Sequence, residues 1–207
     1  MPHHKKNISL YNESQVKENC GCGLIVNRHG TPNREVVKRS IVGLTSMTHR
    51  GAIGSDGKTG DGCGLLFDLN RRFFQKALKR EVGIELPELF GVAQIFSSHL
   101  LQRDIAKIKS ILESERLTLI CKRDVPVNKS ILGPIALESL PNINQLFIAP
   151  TSKDFSRDRF ESCLLQARKK IEDIYSNDEK LYVCSMSSQT RVYKGLMLPN
   201  ATRDFYK

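Results

Sequence analysis

The chain has 207 residues, 40% of them hydrophobic, which is enough for one well-buried domain, or one domain with a sizeable subdomain, and too little for several. No apolar run approaches the roughly 20 residues that a bilayer span requires, so the sequence predicts a soluble protein. The net charge of +10 would suit a polyanion, but basic residues are interspersed with acidic ones, which argues against nucleic-acid binding. A basic anchor surface for a larger assembly stays open.

The first 19 residues, MPHHKKNISLYNESQVKEN, start with basic residues, but no apolar stretch follows. This pattern lacks the central part of a secretory signal and predicts a protein that is not exported. The six cysteines of such a chain are expected to be free thiols. We therefore expect a cytoplasmic location, with a plastid location left open.

The first predicted elements alternate between strand and helix. GLIVN, from Gly23 to Asn27, is a short apolar run bounded by turn residues and predicts a strand. The helix after it has apolar residues at helical spacing and Asn33 as its N-cap. A glycine-rich stretch from Gly51 to Gly64 predicts a loop, and CGLLFDL predicts a second strand. Asn70 is then expected to cap another helix.

From about residue 88 the pattern predicts strand FGVAQIF, a helix and strand LTLIC, which form a β-α-β unit. A loop rich in proline and asparagine spans residues 124–144, and strand QLFIA follows. The next helix has apolar residues in register at Phe160, Leu164, Ala167, Ile171 and Ile174. LYVCSM and TRVYKGL flank a short turn and predict a hairpin, and Pro199 is expected to open a last short helix. These elements indicate an α/β or α+β sandwich, and periodicity alone does not choose between the two.

The motif Asn-Cys-Gly-Cys-Gly at residues 19–23 is the first that could carry chemistry. Glycine beside cysteine lets the backbone approach a substrate closely and exposes the sulfur. A metal site at Cys20 and Cys22 lacks the usual two-residue gap and a second pair of ligands, and a redox dithiol would need the same gap. A nucleophile and a small buried thiol at the start of a strand both remain open for the motif in isolation.

The segment TSMTHRGAIGSDGKTGDGCGLL, residues 45–66, contains Gly57-Lys58-Thr59, which suggests a phosphate-binding loop. The spacing rejects this reading, because Ala52 stands where such a loop has glycine and the segment leads into a strand. A dinucleotide-binding fingerprint also fails, since Val26 stands where the third glycine is needed. His49 and Arg50 lie at the end of the preceding helix, where cations interact favourably with the helix dipole.

Four separated blocks, in this order, resemble one family: SLYN…ENCGCGLIV, THRGAIGSDGKTGDGCGLL, RDVPVNKSILGPIALESLP and SSQTRVYKGLMLP. From about Leu10 onward they are similar to the amino-terminal glutaminase domain of the glutamate synthase large chain, a class II glutamine amidotransferase. The resemblance implies an α+β fold, the four-layer α-β-β-α sandwich of N-terminal nucleophile hydrolases, here incomplete. It implies a propeptide at residues 1–19 and the amidotransferase domain at residues 20–207. The change in the sequence pattern at about residue 88 indicates, in addition, an inserted α/β subdomain within this domain, at about residues 88–186.

In such enzymes the propeptide is removed, so the resemblance implies that cleavage after Asn19 makes Cys20 the amino-terminal residue. Its thiol would be the nucleophile that hydrolyses glutamine to glutamate and ammonia, and its α-amine would be the general base. Arg50 would lie beside the nucleophile and orient it. Residues implied to bind substrate are Gly51, Gly60, Asp61 and Gly62.

Other features of the family limit what this chain is expected to do. The family's carboxylate-binding arginine, its oxyanion-hole Asn-Gly pair and its amine-binding aspartate would lie beyond Lys207, so we expect this chain alone to be inactive. Cys22 and Cys63 are expected to be small buried hydrophobic residues. A non-catalytic remnant or interaction module of the same fold is the alternative hypothesis.

The resemblance also implies cofactors and partners outside this chain. FMN and an iron–sulfur cluster would belong to a synthase domain, and this chain is expected to hold no cofactor and no metal. The implied partners are glutamine, the synthase domain in the same polypeptide or in a complex, and a small NAD(P)H-oxidising subunit or ferredoxin. No membrane partner is expected.

Overall fold

The computed structural model describes residues 21–176 and 180–206 of the chain. In chain order, the helices and strands are α1 (Arg34–Ser46), β1 (Cys63–Asp68), α2 (Arg71–Val82), β2 (Gly91–Ser97), α3 (Gln102–Ser114), β3 (Leu117–Asp124), α4 (Pro134–Glu138), β4 (Asn142–Pro150), α5 (Arg157–Tyr175), β5 (Leu181–Ser187), β6 (Thr190–Gly195) and α6 (Thr202–Phe205). Short 3₁₀ turns lie at Thr48–Arg50, Lys129–Ile131 and Pro199–Ala201. Within these described ranges, no helix is both long enough and apolar enough to cross a bilayer.

The two N-caps predicted from the sequence are confirmed. The side chain of Asn33 accepts a hydrogen bond from the N–H of Glu35 at 2.8 Å, and α1 begins at the next residue. The side chain of Asn70 accepts a hydrogen bond from the N–H of Phe73 at 3.0 Å at the start of α2. Each bond satisfies a donor that the first helical turn leaves open, so the local sequence determines where both helices begin.

Four strands form one sheet in the order β3-β4-β2-β5, and every neighbouring pair is antiparallel. β2 and β3 therefore run parallel to each other with β4 between them, so the predicted β-α-β unit is present in its split form, joined by α3. With α5 and β5 added, the order is that of a ferredoxin-like β-α-β-β-α-β unit. We refer to residues 91–187 as the ferredoxin-like unit.

The ferredoxin-like sheet is covered on both faces. Ala93 and Ile95 of β2 contact the core beneath α3 and α5, whereas Val92 packs against α2 on the opposite face. β6 lies on the α2 side, because the side chain of Gln94 donates to the carbonyl of Val192 at 3.0 Å. The larger cluster lies on the α3 and α5 side and includes Ile108, Leu112, Leu146, Ile148, Phe160, Leu164 and Ile171.

The apolar register predicted for α5 is correct up to its last turn. Ile174 is 52% exposed, so its predicted place in the core is wrong. Tyr175 is buried instead, and its hydroxyl donates to the Asp104 carboxylate of α3 at 2.9 Å. A tyrosine at the core margin can bury its ring and still place its hydroxyl on a polar partner. The spacing of purely apolar residues does not predict such a position.

The predicted hairpin between β5 and β6 is wrong. β6 pairs with β1, with Leu65 opposite Tyr193, whereas β5 pairs with β2. The hydroxyl oxygen of Ser187 accepts hydrogen bonds from the N–H groups of Gln189 and Thr190 at 2.9 and 3.1 Å. This serine turn redirects the chain from the first sheet into the second. Periodicity identifies consecutive strands, but it does not identify the partner of each strand.

The predicted strand at residues 23–27 is also wrong. The segment has no regular secondary structure, and Leu24 is 87% exposed. Ile25 contacts α1, since its Cδ1 lies 3.6 Å from the position of a Cβ on Gly43. A strand needs a neighbour for its backbone groups, and in the described part of the chain no segment pairs with residues 23–27.

Candidate functional site

Cys20, the predicted nucleophile, lies outside the described residues. The structure does describe Gly21, which is the next residue in the sequence, and Arg50. Arg50 ends the 3₁₀ turn that follows α1, and it is exposed. A Cβ on Gly21 would stand 3.6 Å from both Cβ and Cγ of Arg50. Arg50 therefore packs against the residue that directly follows Cys20 in the sequence.

Residues 52–61 fold into a short hairpin between this 3₁₀ turn and β1. At its base, the carboxylate of Asp61 accepts a hydrogen bond from the N–H of Ala52 at 2.7 Å, and the N–H of Asp61 donates to the carbonyl of Ala52 at 3.3 Å. Nearer the turn, the N–H of Gly54 donates to the carbonyl of Thr59 at 2.7 Å. The Asp61 carboxylate is thus engaged by the backbone of this 52–61 hairpin.

The turn of the 52–61 hairpin is built around the carboxylate of Asp56. Its Oδ2 accepts a hydrogen bond from the Thr59 hydroxyl at 2.6 Å, and its Oδ1 accepts from the N–H groups of Thr59 and Lys58 at 2.7 and 2.9 Å. The Thr59 hydroxyl, followed by these N–H groups, holds the pKa of Asp56 well below its ordinary value of 3.8. As predicted from its spacing, the Gly57-Lys58-Thr59 run leads into β1 and does not open a helix.

The same turn is attached to α4, which lies between β3 and β4. The N–H of Ala136 donates to the hydroxyl oxygen of Thr59 at 3.2 Å, although the two residues are 77 positions apart in the chain. The N–H of Ile135 donates to Oδ2 of Asp56 at 3.3 Å. A Cβ on Gly133 would stand 2.2 Å from that same oxygen, so the contact requires glycine at this position.

The glycines of the predicted loop differ in their surroundings. Gly60 is buried, and a Cβ there would stand 2.9 Å from the carbonyl oxygen of Met197. Gly62 has a φ of 118°, which glycine adopts readily and other residues do not. Of the four residues implied to bind substrate, Gly51, Asp61 and Gly62 are therefore on the surface, while Gly60 packs against the protein.

The cysteines near this region differ from the expectation in one case. Cys22 is exposed, so the prediction of a buried hydrophobic role is wrong, because its segment has no strand neighbour to cover it. Cys63 is half-buried: its Sγ donates to the carbonyl of Met197 at 3.4 Å and lies 3.1 Å from the Thr202 hydroxyl. Burial raises the pKa of Cys63, and the hydrogen bond with Thr202 opposes that shift. Over residues 21–176 and 180–206, no group of three or more His, Cys, Asp or Glu side chains could hold a metal ion.

Sequence reasoning missed the contact between the 52–61 hairpin and α4. Each segment carries a local signal, since Asp56-Gly57 is typical of a turn and Gly133-Pro134 is typical of a helix start. Neither signal indicates that the two segments meet. Their contact depends on how the ferredoxin-like unit is placed against the hairpin, which is a property of the whole fold.

One protein-family model matches nearly the whole chain. Residues 20–207 match the model of the class II glutamine amidotransferases. The chain belongs to this family. The resemblance inferred from the four sequence blocks is thereby confirmed, and the matched region begins at Cys20.

Several glutamate synthases are relatives of this class II glutamine amidotransferase. The ferredoxin-dependent glutamate synthase 1, chloroplastic/mitochondrial, of Arabidopsis thaliana is 37% identical over 194 residues, which cover 90% of this chain and 12% of the relative. The glutamate synthase [NADPH] large chain of Bacillus subtilis is 37% identical over 204 residues, 95% of this chain and 13% of the relative. The glutamate synthase [NADH] of Saccharomyces cerevisiae is 30% identical over 210 residues, 95% of this chain and 10% of the relative. The chain thus spans about a tenth to an eighth of the length of these relatives.

Proposed function

We propose that this chain is the leading part of a glutaminase site in which Cys20, exposed by cleavage after Asn19, hydrolyses glutamine to glutamate and ammonia. The observation that carries the proposal is the family match, which begins at Cys20 and continues to residue 207. In this proposal residues 1–19 are a propeptide, and residues 20–207 belong to the amidotransferase domain.

The proposed chemistry depends on a thiol and a free α-amine on the same residue. An α-amine has a pKa of about 7.7 to 8.0, so a substantial fraction is neutral near physiological pH and can accept the thiol proton. The thiolate attacks the carboxamide carbon of glutamine and forms a C–S bond. The tetrahedral intermediate then collapses with cleavage of the C–N bond, and the α-ammonium returns the proton to the departing ammonia. Water hydrolyses the thioester, which releases glutamate and restores the thiol.

Arg50 is proposed to orient the nucleophile. Its support is positional: Arg50 is exposed, and its Cβ and Cγ lie beside Gly21, one residue from Cys20 along the chain. A guanidinium offers several N–H donors in a fixed planar arrangement, which suits the positioning of a neighbouring group. Residues proposed to bind substrate are Gly51, Gly60, Asp61 and Gly62, of which Gly60 is buried and the other three are exposed.

The proposed fold is an incomplete four-layer α-β-β-α sandwich, in which β1 and β6 belong to one of the two sheets. A two-stranded sheet is marginal by itself, and the apolar side chain of Leu66 on β1 is 63% exposed. Further strands of the same domain would cover such a surface. The ferredoxin-like unit is proposed to be the inserted α/β subdomain at about residues 88–186.

The relatives suggest the larger reaction in which this site takes part. In a glutamate synthase, ammonia released at Cys20 would be used to form glutamate from 2-oxoglutarate on a synthase domain, in the same polypeptide or in a complex. FMN and an iron–sulfur cluster are proposed for that domain, and no step at Cys20 involves either group. Ferredoxin or a small NAD(P)H-oxidising subunit is the proposed electron-donating partner. The proposed location is the cytoplasm or, as the name of the Arabidopsis thaliana relative suggests, a plastid.

The test compares the protein at its native length with its Cys20→Ser and Cys22→Ser variants. Cys22 is exposed and two residues away, so its replacement is a matched control for the loss of a thiol. We expect glutamine-dependent ammonia release to vanish in Cys20→Ser and to persist in Cys22→Ser. Intact mass should show that residues 1–19 are absent from the active protein.

Two outcomes would overturn the proposal. Full activity of Cys20→Ser would exclude Cys20 as the nucleophile. A retained amino terminus together with no measurable ammonia release would instead support a non-catalytic remnant or interaction module.

A further inference from the structure

We propose that Asp56 and Thr59 are positioning residues of the glutaminase site, because they clamp the 52–61 hairpin to α4 and thereby hold Arg50 in place. This inference rests on the proposed function of Cys20. The two residues act through the hairpin, and contact with substrate forms no part of their role.

The clamp joins two segments that are distant in the sequence. The Thr59 hydroxyl donates to the Asp56 carboxylate at 2.6 Å and accepts a hydrogen bond from the N–H of Ala136 at 3.2 Å. Thr59 is only 7% exposed, so water competes poorly for these bonds. Removing the hydroxyl would leave the buried N–H of Ala136 without its partner, and Oδ2 of Asp56 would lose the shorter of its two hydrogen bonds and keep the one from Ile135. The Thr59 hydroxyl is therefore the centre of the clamp.

The fit at the clamp leaves no space for an added atom. A Cβ on Gly133, directly before α4, would stand 2.7 Å from the Thr59 hydroxyl oxygen and 2.8 Å from Cγ of Asp56. Within the hairpin, a Cβ on Gly54 would stand 3.3 Å from the carbonyl oxygen of Thr59. The close approach of Gly133 means that the backbone before α4, as well as the hydrogen bonds, sets the position of the turn on α4.

The hairpin connects the clamp to Arg50 over a short path. Ile53 and Gly60 form a β-bridge between the two sides of the hairpin, and Asp61 holds Ala52 at the base. Ala52 is separated from Arg50 by a single residue. If the turn leaves α4, the hairpin loses its hydrogen bonds to the N–H groups of Ile135 and Ala136, and the segment that carries Arg50 gains freedom.

α4 itself is anchored in the core. Ala136 is 3% exposed and belongs to a buried cluster with Ile143 of β4 and Phe205 of α6. The connection between β3 and β4 of the ferredoxin-like unit therefore provides a rigid support for a hairpin outside that unit. The unit contributes in this way to the geometry proposed for the glutaminase site.

Variants of the protein at its native length test the clamp. Thr59→Val keeps the shape of the side chain and removes the hydroxyl, whereas Thr59→Ser keeps the hydroxyl. Thr118→Val makes the same change at an exposed position of β3 and serves as the control. If Thr59→Val does not fold, Asp56→Asn replaces it, because it keeps the shape of the side chain and removes the charge.

We expect Thr59→Val to lower kcat for glutamine hydrolysis by about 10- to 100-fold with KM nearly unchanged, since a small displacement near a nucleophile is costly in rate. Thr59→Ser and Thr118→Val should keep the kcat of the unmodified protein. Trypsin supplies a second readout: cleavage after Lys58, which is exposed in the turn, should be several times faster in Thr59→Val.

The outcomes separate the clamp from the proposed function. An unchanged kcat in Thr59→Val would overturn the positioning role and leave the role of Cys20 intact. An equal loss of kcat in Thr59→Ser and Thr59→Val would also overturn it, because the hydroxyl would not be the cause. Glutamine hydrolysis that is independent of Cys20 would overturn the proposed function, and the positioning role with it.

Discussion

Replacing Arg191 with methionine should change the stability of the protein little, whereas alanine should destabilise it strongly. Arg191 on β6 is 1% exposed, and its Cζ lies 4.6 Å from the ring centroid of Phe74 and 4.8 Å from that of Tyr193. One terminal nitrogen donates to Oε1 of Gln94 at 2.5 Å, but Nε and the other terminal nitrogen have no hydrogen-bond partner among the residues described. Burial lowers the pKa of Arg191 from its ordinary value, so the charged form is held at a cost.

The free-energy terms for this guanidinium nearly cancel. Two desolvated cation–π contacts stabilise it by about 2 kcal/mol each, and a hydrogen bond from a charged donor adds about 1.5 to 3 kcal/mol. Against them stands the removal of the ion from water, which costs several kcal/mol and includes about 1 to 3 kcal/mol for each unpaired N–H.

Methionine retains an unbranched apolar stem between the two rings and can form sulfur–aromatic contacts there. We therefore expect Arg191→Met to alter the free energy of unfolding by no more than about 2 kcal/mol in either direction. Arg191→Ala also loses the stem and leaves a cavity, so it should be about 2 to 5 kcal/mol less stable than the methionine variant.

Urea unfolding followed by far-ultraviolet circular dichroism measures these differences on the three proteins under one set of conditions. Equal m-values would show that the same cooperative unit unfolds in each. If methionine destabilises the protein as much as alanine does, the charge itself holds β6 in place, and the reasoning from cancelling terms is refuted.

Further predictions concern two glycines, two thiols and the acid in the hairpin turn. Gly64→Ala should lower the free energy of unfolding by about 1 to 3 kcal/mol, because its Cβ would stand 2.7 Å from a backbone oxygen of β6. Gly43→Ala inside α1 should raise it by about 0.5 to 1 kcal/mol, and urea titrations with the same sign for both would contradict the packing argument. Iodoacetamide at about pH 8 should modify exposed Cys22 before Cys63, whose pKa is raised by burial; the reverse order in peptide mass spectra would count against this. Asp56 has a lowered pKa in the fold, so its contribution to stability is present above about pH 4 and is lost as the pH falls further through the folded-state value. Asp56→Asn should therefore have the shallower acid-denaturation curve, and coincident curves would refute this.

The candidate site was predictable from sequence to the extent that it is local. Arg50 and the glycine-rich loop could be proposed as site residues because they occur in one contiguous block, which lies within the region that matches the family. The contact between Thr59 and Ala136 could not be predicted, because the two residues are 77 positions apart. Nothing in either segment indicates a contact that depends on the docking of a sheet.

The strands show the same division. The sequence predicts that strands β1 to β6 exist, because each is an apolar run bounded by turn residues. It does not predict which strands pair with each other. The run at residues 23–27 is as apolar as a strand, yet it lies on the surface because no described segment offers its backbone a neighbour. Ser187 turns the chain between sheets through hydrogen bonds to the backbone, and a serine in that place is equally typical of an ordinary hairpin turn.

By itself, the sequence determined the helix starts at Asn33 and Asn70, the loop before β1 and the family to which the chain belongs. These depend on side chains that act within a few residues, or on blocks whose order is visible along the chain. Only the tertiary structure decided that β6 pairs with β1, that Cys22 is exposed and that the 52–61 hairpin rests on α4. Each of these features depends on which distant segments contact each other. Those contacts are determined by the packing of the whole domain, and local periodicity does not encode them.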